Sequence, residues 1–265
     1  MEKYGPLIEP KGIVVLSFAL AVLILERVFP AVRPLAAAHL ASLSNRVRRL
    51  FKNVSLAAAN AILSPLVVLP VSAVAAQWAL PWRPLWWSGP VALALDLLIL
   101  DFLIYWWHRA NHRIRFLWRF HEVHHLDEFL DATTAVRFHF GEVLLSAVAR
   151  ALVVFVVAVP IASVLVFETL LLVATIFHHS NMRLPSKLET ALSRVIVTPS
   201  IHWVHHHAAR IDTDSNYATI LSVWDPLFHS RSVTRRSADM QIGVETRSDQ
   251  DLAHLVVRPF LAERP

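Results

Sequence analysis

The sequence contains no cysteine in its 265 residues. A disulfide framework, an iron–sulfur cluster, a thiolate zinc site and a cysteine nucleophile are therefore all excluded. Glycine is scarce as well, with five residues, and no two of them are spaced to form a dinucleotide-binding or phosphate-binding loop. The sequence thus predicts no nucleotide or flavin site of its own. Any metal must be bound by histidine and carboxylate side chains.

Apolar residues dominate the composition. Hydrophobic residues make up 55% of the chain, nine residues are tryptophan, and the mean hydropathy is +0.49, which together indicate a membrane protein. The net charge of +5 and the pI of about 10.1 would suggest nucleic acid binding in a soluble chain. Here the basic residues cluster between apolar runs, so they favour membrane orientation and contact with anionic lipid head groups. No nucleic acid partner is expected.

Four apolar runs are long enough, with their flanks, to enter or span a bilayer. Three of them, residues 12–25, 54–79 and 90–107, are predicted to cross once. The fourth, 141–177, fits either two crossing helices joined at Pro160 or a shallower hairpin that enters and returns. We therefore predict an all-α integral membrane protein with about four to five transmembrane or re-entrant helices.

The distribution of basic residues predicts the orientation of these runs. Residues 30–53 carry five basic side chains, which the positive-inside rule assigns to the cytoplasm. The amino terminus would then lie outside, and Pro65 and Pro70 would bend the second span. The third span and the 141–177 run would both end on the cytoplasmic side. That side is predicted to carry a histidine-rich helical cap.

Histidines recur in clusters just beyond these span ends. On a helix, spacings of three and four residues project side chains from one face, and neutral imidazole is the commonest metal ligand. Nine histidines fit this pattern or close an apolar run: His108, His112, His121, His124, His125, His179, His202, His205 and His206. One tetrahedral zinc uses at most four ligands, so nine candidates fit two metals better than one.

Three further histidines lie next to these clusters. His139 fits either a tenth ligand or a group hydrogen-bonded to Glu142, and we include it among the candidate ligands. His178 and His207 adjoin better-spaced neighbours and are disfavoured as ligands.

Carboxylates near the clusters are the candidate supporting groups. Asp101 lies in an apolar span, two helical turns before His108, and either supports a metal ligand or makes a structural hydrogen bond. The structural interpretation is favoured for Asp96. Glu122 precedes His125 at the Glu-x-x-His spacing of carboxylate-bridged di-iron bundles, although no second such pair accompanies it.

Three kinds of metal chemistry suit such a site. A pair of irons bound largely by imidazole, with open positions for oxygen, could oxidise an unactivated C–H bond. A zinc or divalent-ion transporter would place its ligands near mid-membrane, whereas these clusters lie beyond the span ends. A zinc hydrolase would use metal-activated water with Glu122 as the base, but nine imidazoles exceed its needs.

Several spaced motifs stand in one order along residues 90–230. They are Asp101–His112, Leu117–His125, Thr133–Glu142, His179–Asn181, Thr198–His206 and Asp214–Tyr217, with Trp224 and Asp225. Together they resemble the membrane fatty acid hydroxylase and sterol desaturase superfamily, and the resemblance covers roughly residues 90–230. Two departures from the pattern are Phe228-His229-Ser230 and the additional His207.

The resemblance implies a non-haem di-iron oxygenase that hydroxylates or desaturates a lipid with O2 and external electrons. It implies that the nine clustered histidines are iron ligands, with zinc as a possible substitute in purified protein. Asp101 and Asn181 would be supporting groups, as would Asn216 and Asp225, and we take Asp101, Glu122 and Asn181 as candidate catalytic residues. A separate electron donor, whether a b-type cytochrome, a ferredoxin or a reductase, is implied. Hydroxylation is preferred by analogy with the family.

These observations predict three regions. Residues 1–89 would hold the first transmembrane helices and the basic cytoplasmic loop, and residues 90–230 the catalytic domain. Residues 231–265 would form a polar C-terminal tail.

Overall fold

The computed structural model describes residues 5–33 and 42–261, with side chains from residue 11 onward. Part of the predicted basic loop, residues 34–41, lies outside the described residues. Within them the regular structure is helical and contains no strand, which confirms the all-α prediction. The longer helices are α1 (Gly5–Val28), α2 (Leu43–Leu63), α3 (Leu69–Gln77), α4 (Gly89–Arg113), α5 (Arg115–His125), α6 (Phe140–Val157) and α7 (Ile161–His179). Five short ones follow: α8 (Ser186–Leu192), α9 (Pro199–His205), α10 (Arg210–Thr213), α11 (Trp224–Leu227) and α12 (Leu252–Val257).

Four helical segments of the described chain are long and apolar enough to cross a membrane. They are Leu43–Gln77, α4, α6 and α7, and they match the second and third predicted spans and the two halves of the 141–177 run. The predicted first span falls in α1, which packs along α7.

The segment Leu43–Gln77 is one continuous helix that contains a π-helical turn. The turn covers Ser64–Val68 and includes Pro65, whose ring lacks the N–H that a regular helix would use there. At 35 residues the helix is about 52 Å long, well beyond the roughly 30 Å core of a bilayer. Its polar first turns therefore extend past the apolar part, and the side chains of Arg49 and Lys52 are buried there among cap residues.

Helices α6 and α7 form a hairpin. Ala158 caps α6 in the left-handed conformation (φ 57°), and Pro160 precedes the first turn of α7. The reversal at Pro160, which the crossing pair and the shallower hairpin have in common, is confirmed. Because the hairpin reverses the chain, the C-terminal end of α7 returns to the side where α6 begins, and His178 and His179 lie at that end.

The opposite end of the bundle carries tryptophans and a buried carboxylate. Asp96, on α4, pairs with Arg83 and accepts hydrogen bonds from Trp87 Nε1 at 3.2 Å and Ser163 Oγ at 2.7 Å. These contacts join α4 to α7 and to the loop before α4. Asp96 thus has the structural role that was favoured for it.

A cap covers the histidine-bearing end of the helices. It consists of α5, the turns between α5 and α6, and the polar chain after α7. Arg49 of α2 forms ion pairs with Asp127 at 2.6 Å and with Asp131 at 2.7 Å, which ties these turns to the bundle. Residues 244–258 pack back on α5, where Leu255 is fully buried against Val123.

Candidate metal centre

The cap and the helix ends enclose two groups of histidines. The first group contains five residues, His108, His112, His121, His125 and His205, and the second contains four, His124, His179, His202 and His206. Within each group one ring nitrogen of every residue lies within 4.8 Å of the corresponding nitrogens of the others. All nine side chains are buried. Helices α4, α5, α7 and α9 contribute all of them except His206, which directly follows α9.

In the first group, hydrogen bonds hold three rings by their Nδ1 atoms. His108 Nδ1 donates to the carbonyl of Tyr217 at 2.8 Å, and His205 Nδ1 donates to the carbonyl of Ser215 at 2.6 Å. His121 Nδ1 lies 2.8 Å from Glu142 Oε1. A neutral imidazole has one N–H, so each ring presents a lone pair at Nε2. Metal-binding histidines are held by the same kind of second hydrogen bond.

The second group brings ring nitrogens into direct contact. His124 Nδ1 donates to the Arg137 carbonyl at 3.2 Å, and His179 Nδ1 donates to the Thr175 carbonyl at 2.8 Å. The Nε2 atoms of His124 and His179 therefore both carry lone pairs, yet they lie 3.0 Å apart. His202 Nε2 lies 3.0 Å from His179 Nε2 and 3.1 Å from His206 Nε2. Facing lone pairs repel each other unless a cation lies between them.

These separations fit ligands of a shared metal ion. Two imidazole nitrogens that bind one metal at about 2.1 Å and at a right angle to each other lie about 3.0 Å apart. In the first group, several nitrogens have no hydrogen-bond partner, namely both in His112 and His125 and the Nε2 atoms of His121 and His205. Buried polar atoms without partners are costly, and a metal would satisfy them. The donor set thus fits two metal ions, held by five and four imidazoles.

The surroundings keep five of the clustered histidines neutral. Burial lowers the pKa of His205 to about 3. Burial, together with the closeness of other histidines, lowers the pKa values of His124, His125, His202 and His206 well below the ordinary 6.5. Neutral imidazole is the form that binds a metal. The site is therefore ready to bind cations without first releasing protons.

A network outside the second group holds the chain that positions His124. The Arg137 guanidinium donates to the carbonyl of Val123 at 2.9 Å and to Asn53 Oδ1 at 3.1 Å, and it pairs with Asp249 at 2.5 Å. The carbonyl of the same Arg137 accepts the hydrogen bond from His124. One buried arginine thus links helix α5, helix α2 and the C-terminal segment to a histidine of the centre.

The tenth candidate ligand, His139, lies outside both groups. Its Nδ1 accepts a hydrogen bond from the backbone of Gly141 at 2.9 Å and caps α6, and its Nε2 donates to the carbonyl of Val256 at 3.0 Å. Because both nitrogens are engaged, His139 has no lone pair free for a metal. We leave it out of the proposed ligand set.

Two neighbouring histidines also lie outside the groups. His178 stacks on His202 with ring centroids 4.1 Å apart. His207 Nδ1 lies 2.8 Å from Asp212 Oδ2. That neither of them binds a metal stays a prediction.

The three candidate catalytic residues make their hydrogen bonds elsewhere. Asp101 accepts from Trp224 Nε1 at 2.7 Å, and Asn181 binds both backbone groups of Val32, at 3.0 Å and 2.7 Å. Glu122 pairs with two arginines of the C-terminal segment. Asp101 thus fixes the chain around Leu221 and Trp224 to the middle of α4, and Asn181 fixes the chain after α1 to the end of α7. Glu122 joins the C-terminal segment to α5, and a catalytic role for the three residues stays a prediction.

Two residues beside the centre were missed by the sequence reasoning. Glu142 was considered only as a partner of His139, whereas its Oε1 accepts from His121 Nδ1 and from Asn111 Nδ2 at 3.0 Å. The position of Asn111, one residue before His112, is the only sequence signal that could have indicated it. The pairing of Glu142 with His121 depends on how α5 and α6 pack.

Several known proteins are similar to this chain in sequence. A model of the fatty acid hydroxylase family matches residues 93–230. An ornithine lipid hydroxylase of Rhizobium tropici is 25% identical over 207 residues, which are 78% of this chain and 62% of that protein. The alkylglycerol monooxygenase of Homo sapiens is 32% identical over 152 residues, 57% of this chain and 31% of that protein. A very-long-chain aldehyde decarbonylase of Oryza sativa is 30% identical over 158 residues, 56% of this chain and 25% of that protein.

The chain thus spans less than two thirds of the length of these relatives. No solved structure matches it.

Proposed function

This chain belongs to the fatty acid hydroxylase family, and from that premise we propose that it is a membrane-bound di-iron oxygenase that hydroxylates a lipid. O2 and externally supplied electrons would be its other substrates. The names of the relatives support a lipid substrate, since they include a lipid hydroxylase and a monooxygenase. Desaturation is the alternative outcome of the same chemistry.

The observation that carries the proposal is the pair of buried histidine groups. We propose that His108, His112, His121, His125 and His205 hold one iron, and that His124, His179, His202 and His206 hold the other. When bound, such a pair of irons supplies the oxidation of a C–H bond by O2. The 3.0 Å contacts between ring nitrogens and the partnerless buried nitrogens support this ligand set.

The residues of the chain prepare the site in two ways. Backbone carbonyls and Glu142 hold five of the rings by Nδ1, which fixes the tautomer and directs Nε2 inward. The closed cap excludes water, which protects a reactive site from side reactions. A lipid chain would approach from the membrane side, along the faces of α4 and α6 that lead to His108 and Glu142.

We further propose that the centre faces the cytoplasm and receives electrons from a separate protein. The basic residues of the first loop and of α4 and α5 favour the cytoplasmic side by the positive-inside rule. A b-type cytochrome, a ferredoxin or a reductase would fit as donor. Zinc chemistry, either hydrolysis or transport, is not favoured, because the family and the relatives are named for oxidation and decarbonylation of lipids.

Metal analysis with Mössbauer spectroscopy tests the proposal. Protein produced with iron-57 is reduced and exposed to O2, and His124→Ala and His205→Ala each remove one ligand from a different group. We expect about two coupled irons per chain that respond to O2, and a lower iron content in both variants.

His207→Ala serves as the matched control, because His207 adjoins the second group without belonging to it. Its iron content should equal that of the unmodified protein. Stoichiometric zinc that iron does not replace, with no response to O2, would refute the proposed function.

A further inference from the structure

Residues 220–228, which include α11, lie against the middle of α4, and we call them the α11 segment. Asp101 of α4 accepts hydrogen bonds from the backbone N–H of Leu221 at 3.2 Å and from Trp224 Nε1 at 2.7 Å. Asp101 lies near the middle of the apolar run 90–107. The α11 segment therefore extends from the cap to a level well inside the apolar part of the bundle.

Contacts from the two ends of the bundle define this depth. Chain from the opposite end binds Asp96, whereas the α11 segment binds Asp101, and the two aspartates lie about 7.5 Å apart along α4. The hydrocarbon core of a bilayer is about 30 Å thick, so the two contacts cannot both lie at its surfaces. Arg83 and Trp87 reach Asp96 with long side chains, but Leu221 binds Asp101 with its backbone. The chain of the α11 segment is therefore itself at hydrocarbon depth.

One side of the α11 segment packs on the bundle. The ring centroids of Trp224 and Phe102 are 5.2 Å apart. Those of Phe228 and Trp106 are 5.1 Å apart. Ile220 packs against the buried apolar cluster that α4, α6 and α7 form together. The segment is thus held along α4 by apolar contacts as well as by Asp101.

The other side of the α11 segment is apolar and exposed. Val223 and Leu227 lie on it, and the exposed Val195 lies next to it, since the carbonyl of Val195 accepts from the backbone of Ser222. Leu98, on the part of α4 that spans the membrane, is exposed as well. Single exposed apolar residues are ordinary on a water-facing surface. Here they continue the apolar surface of a spanning helix at the same depth, which favours lipid as the neighbour.

The backbone of the α11 segment is paired in the way that a lipid environment requires. The N–H of Val197, in the chain that follows α8, donates to the carbonyl of Ile220 at 2.9 Å, and the N–H of Ser222 donates to the carbonyl of Val195 at 3.1 Å. Asp101 accepts from the N–H between these two positions. Non-helical chain persists at hydrocarbon depth only where its polar groups have partners. The carboxylate of Asp101 supplies one of them.

From these contacts we infer that the α11 segment is a re-entrant membrane element. It lies within the hydrocarbon part of the bilayer and contacts lipid acyl chains through Val223 and Leu227, together with the adjoining Val195. Asp101 anchors it to α4. The partner of this surface is thus the bilayer interior, and the inference is independent of any bound metal.

The position of the α11 segment also affects the histidine groups. Its Asp225 accepts a hydrogen bond from the backbone N–H of Tyr217 at 2.8 Å, and the carbonyl of Tyr217 binds His108. Lipid that packs against the segment therefore helps to hold one histidine of the first group.

Site-directed spin labelling tests the depth of the segment. The chain has no cysteine, so one introduced cysteine carries a single nitroxide label. Val195→Cys, Val223→Cys and Leu227→Cys are labelled separately in phosphatidylcholine nanodiscs, and power-saturation EPR measures collisions with O2 and with chromium oxalate. O2 concentrates in hydrocarbon, whereas the chromium anion stays in water. We expect the ratio of O2 to chromium oxalate collisions to be at least about tenfold higher than at an aqueous position, because ions are costly to transfer into hydrocarbon.

Two further labels calibrate the measurement. Val233→Cys, on the polar chain after α11 where the side chain is 98% exposed, is the aqueous control. Leu98→Cys, exposed on α4, is the lipid control and should give the same high ratio as the three test positions. A ratio like that of Val233→Cys at the test positions would overturn the inference. Few collisions with either reagent would also overturn it, since protein, such as a second copy of the chain, would then cover the surface.

Replacing Asp101 tests the anchor. In the Val223→Cys chain, Asp101→Leu removes the acceptor of Leu221 and Trp224, so we expect the collision ratio to fall toward that of the aqueous control. Asp101→Asn keeps an acceptor oxygen and should retain the high ratio. An unchanged ratio in Asp101→Leu would refute the anchoring role.

The label at Leu98 shows whether α4 stays inserted in both Asp101 variants. The single-cysteine measurements need no change at Asp101, so they test the depth of the segment even where Asp101→Leu does not fold. None of the measurements requires iron or turnover, and their outcome is therefore separate from that of the proposed function.

Discussion

Most rings at the centre are oriented by what their outer nitrogen contacts. Five of the nine histidines are held at Nδ1, four by backbone carbonyls and His121 by the carboxylate of Glu142. A carboxylate raises the basicity of a ligating imidazole, whereas a carbonyl mainly fixes its direction. His121 is therefore expected to be the strongest donor in the five-histidine group.

Replacing Glu142 tests this expectation. In Glu142→Gln the side chain keeps its size and can still accept from His121, but the negative charge is lost. We expect iron affinity of the five-histidine group to fall ten- to hundredfold, while the overall fold is retained. Competition with a chelator of known affinity measures the change.

The exposed Glu245→Gln is a control for the loss of one negative charge. Equal iron affinity in Glu142→Gln and Glu245→Gln would show that the carboxylate does not tune His121.

At the scale of residues, spacing predicted which histidines cluster but not what supports them. The i, i+3 and i+4 pattern marked His121, His124 and His125 because helix geometry alone places them close together. The pattern left His139 undecided, and packing explains its position, since His139 caps α6 and binds Val256. Partners from other helices cannot be read from local periodicity.

At the scale of elements, the loop between α10 and α11 is a support of the centre. It supplies the carbonyls of Ser215 and Tyr217 to two histidines of the first group. Asp225 holds this loop, since its carboxylate accepts hydrogen bonds from the backbone N–H groups of Tyr217 at 2.8 Å and Ala218 at 3.1 Å. The side chain of Ser230 donates to the same carboxylate at 2.7 Å.

Asp225→Ala removes this support. Two buried N–H groups would lose their acceptor, so we expect the free energy of unfolding to fall by about 2–4 kcal/mol. Iron should be lost from the five-histidine group before the four-histidine group, because only the first group uses this loop. Denaturant unfolding and iron titration measure the two effects.

Asp239→Ala changes an exposed aspartate and should alter neither the free energy of unfolding nor the iron content. Simultaneous loss of iron from both groups in Asp225→Ala would contradict the specific role of the loop.

Elements with strong local signals were predicted well from the sequence. Long apolar runs indicated the spans, and Pro160 marked the reversal between α6 and α7 because proline cannot continue a helix. Pro65 was expected to bend the second span, and a π-helical turn occurs at this proline. The short helices α8 to α11 have too few residues for a periodic pattern, and contacts with the bundle determine them.

At the scale of the whole molecule, the cap buries many neutral histidines together. Such a cap is stable only while those histidines remain unprotonated or bind metal. The pKa of His205 is about 3 in the folded chain, against an ordinary value of 6.5. The stability of the metal-free protein should therefore depend on pH.

Between pH 3 and pH 6.5, His205 binds a proton in the unfolded chain but not in the folded chain. Acid therefore favours unfolding. We expect metal-free protein to be most stable above pH 6.5 and to lose stability as the pH falls below it. Each such histidine lowers the free energy of unfolding by at most about 1.4 kcal/mol for each pH unit of acidification. Thermal unfolding of chelator-treated protein from pH 8 to pH 5 measures the loss.

Iron-loaded protein is the comparison, because bound metal keeps the rings unprotonated until acid displaces it. The thermal unfolding midpoint of the iron-loaded protein should change less between pH 8 and pH 5. A midpoint of the metal-free protein that stays constant from pH 8 to pH 5 would contradict burial of neutral rings.

The ion pair between Arg137 and Asp249 joins positions 112 residues apart in the chain. During synthesis, every proposed ligand leaves the ribosome before Asp249 does. The nascent chain thus carries all the proposed ligands before Arg137, whose carbonyl binds His124, can form its ion pair with Asp249. Iron loading is therefore expected to be completed only after translation has passed this aspartate, which makes the last turns of the cap a checkpoint in the assembly of the metal centre.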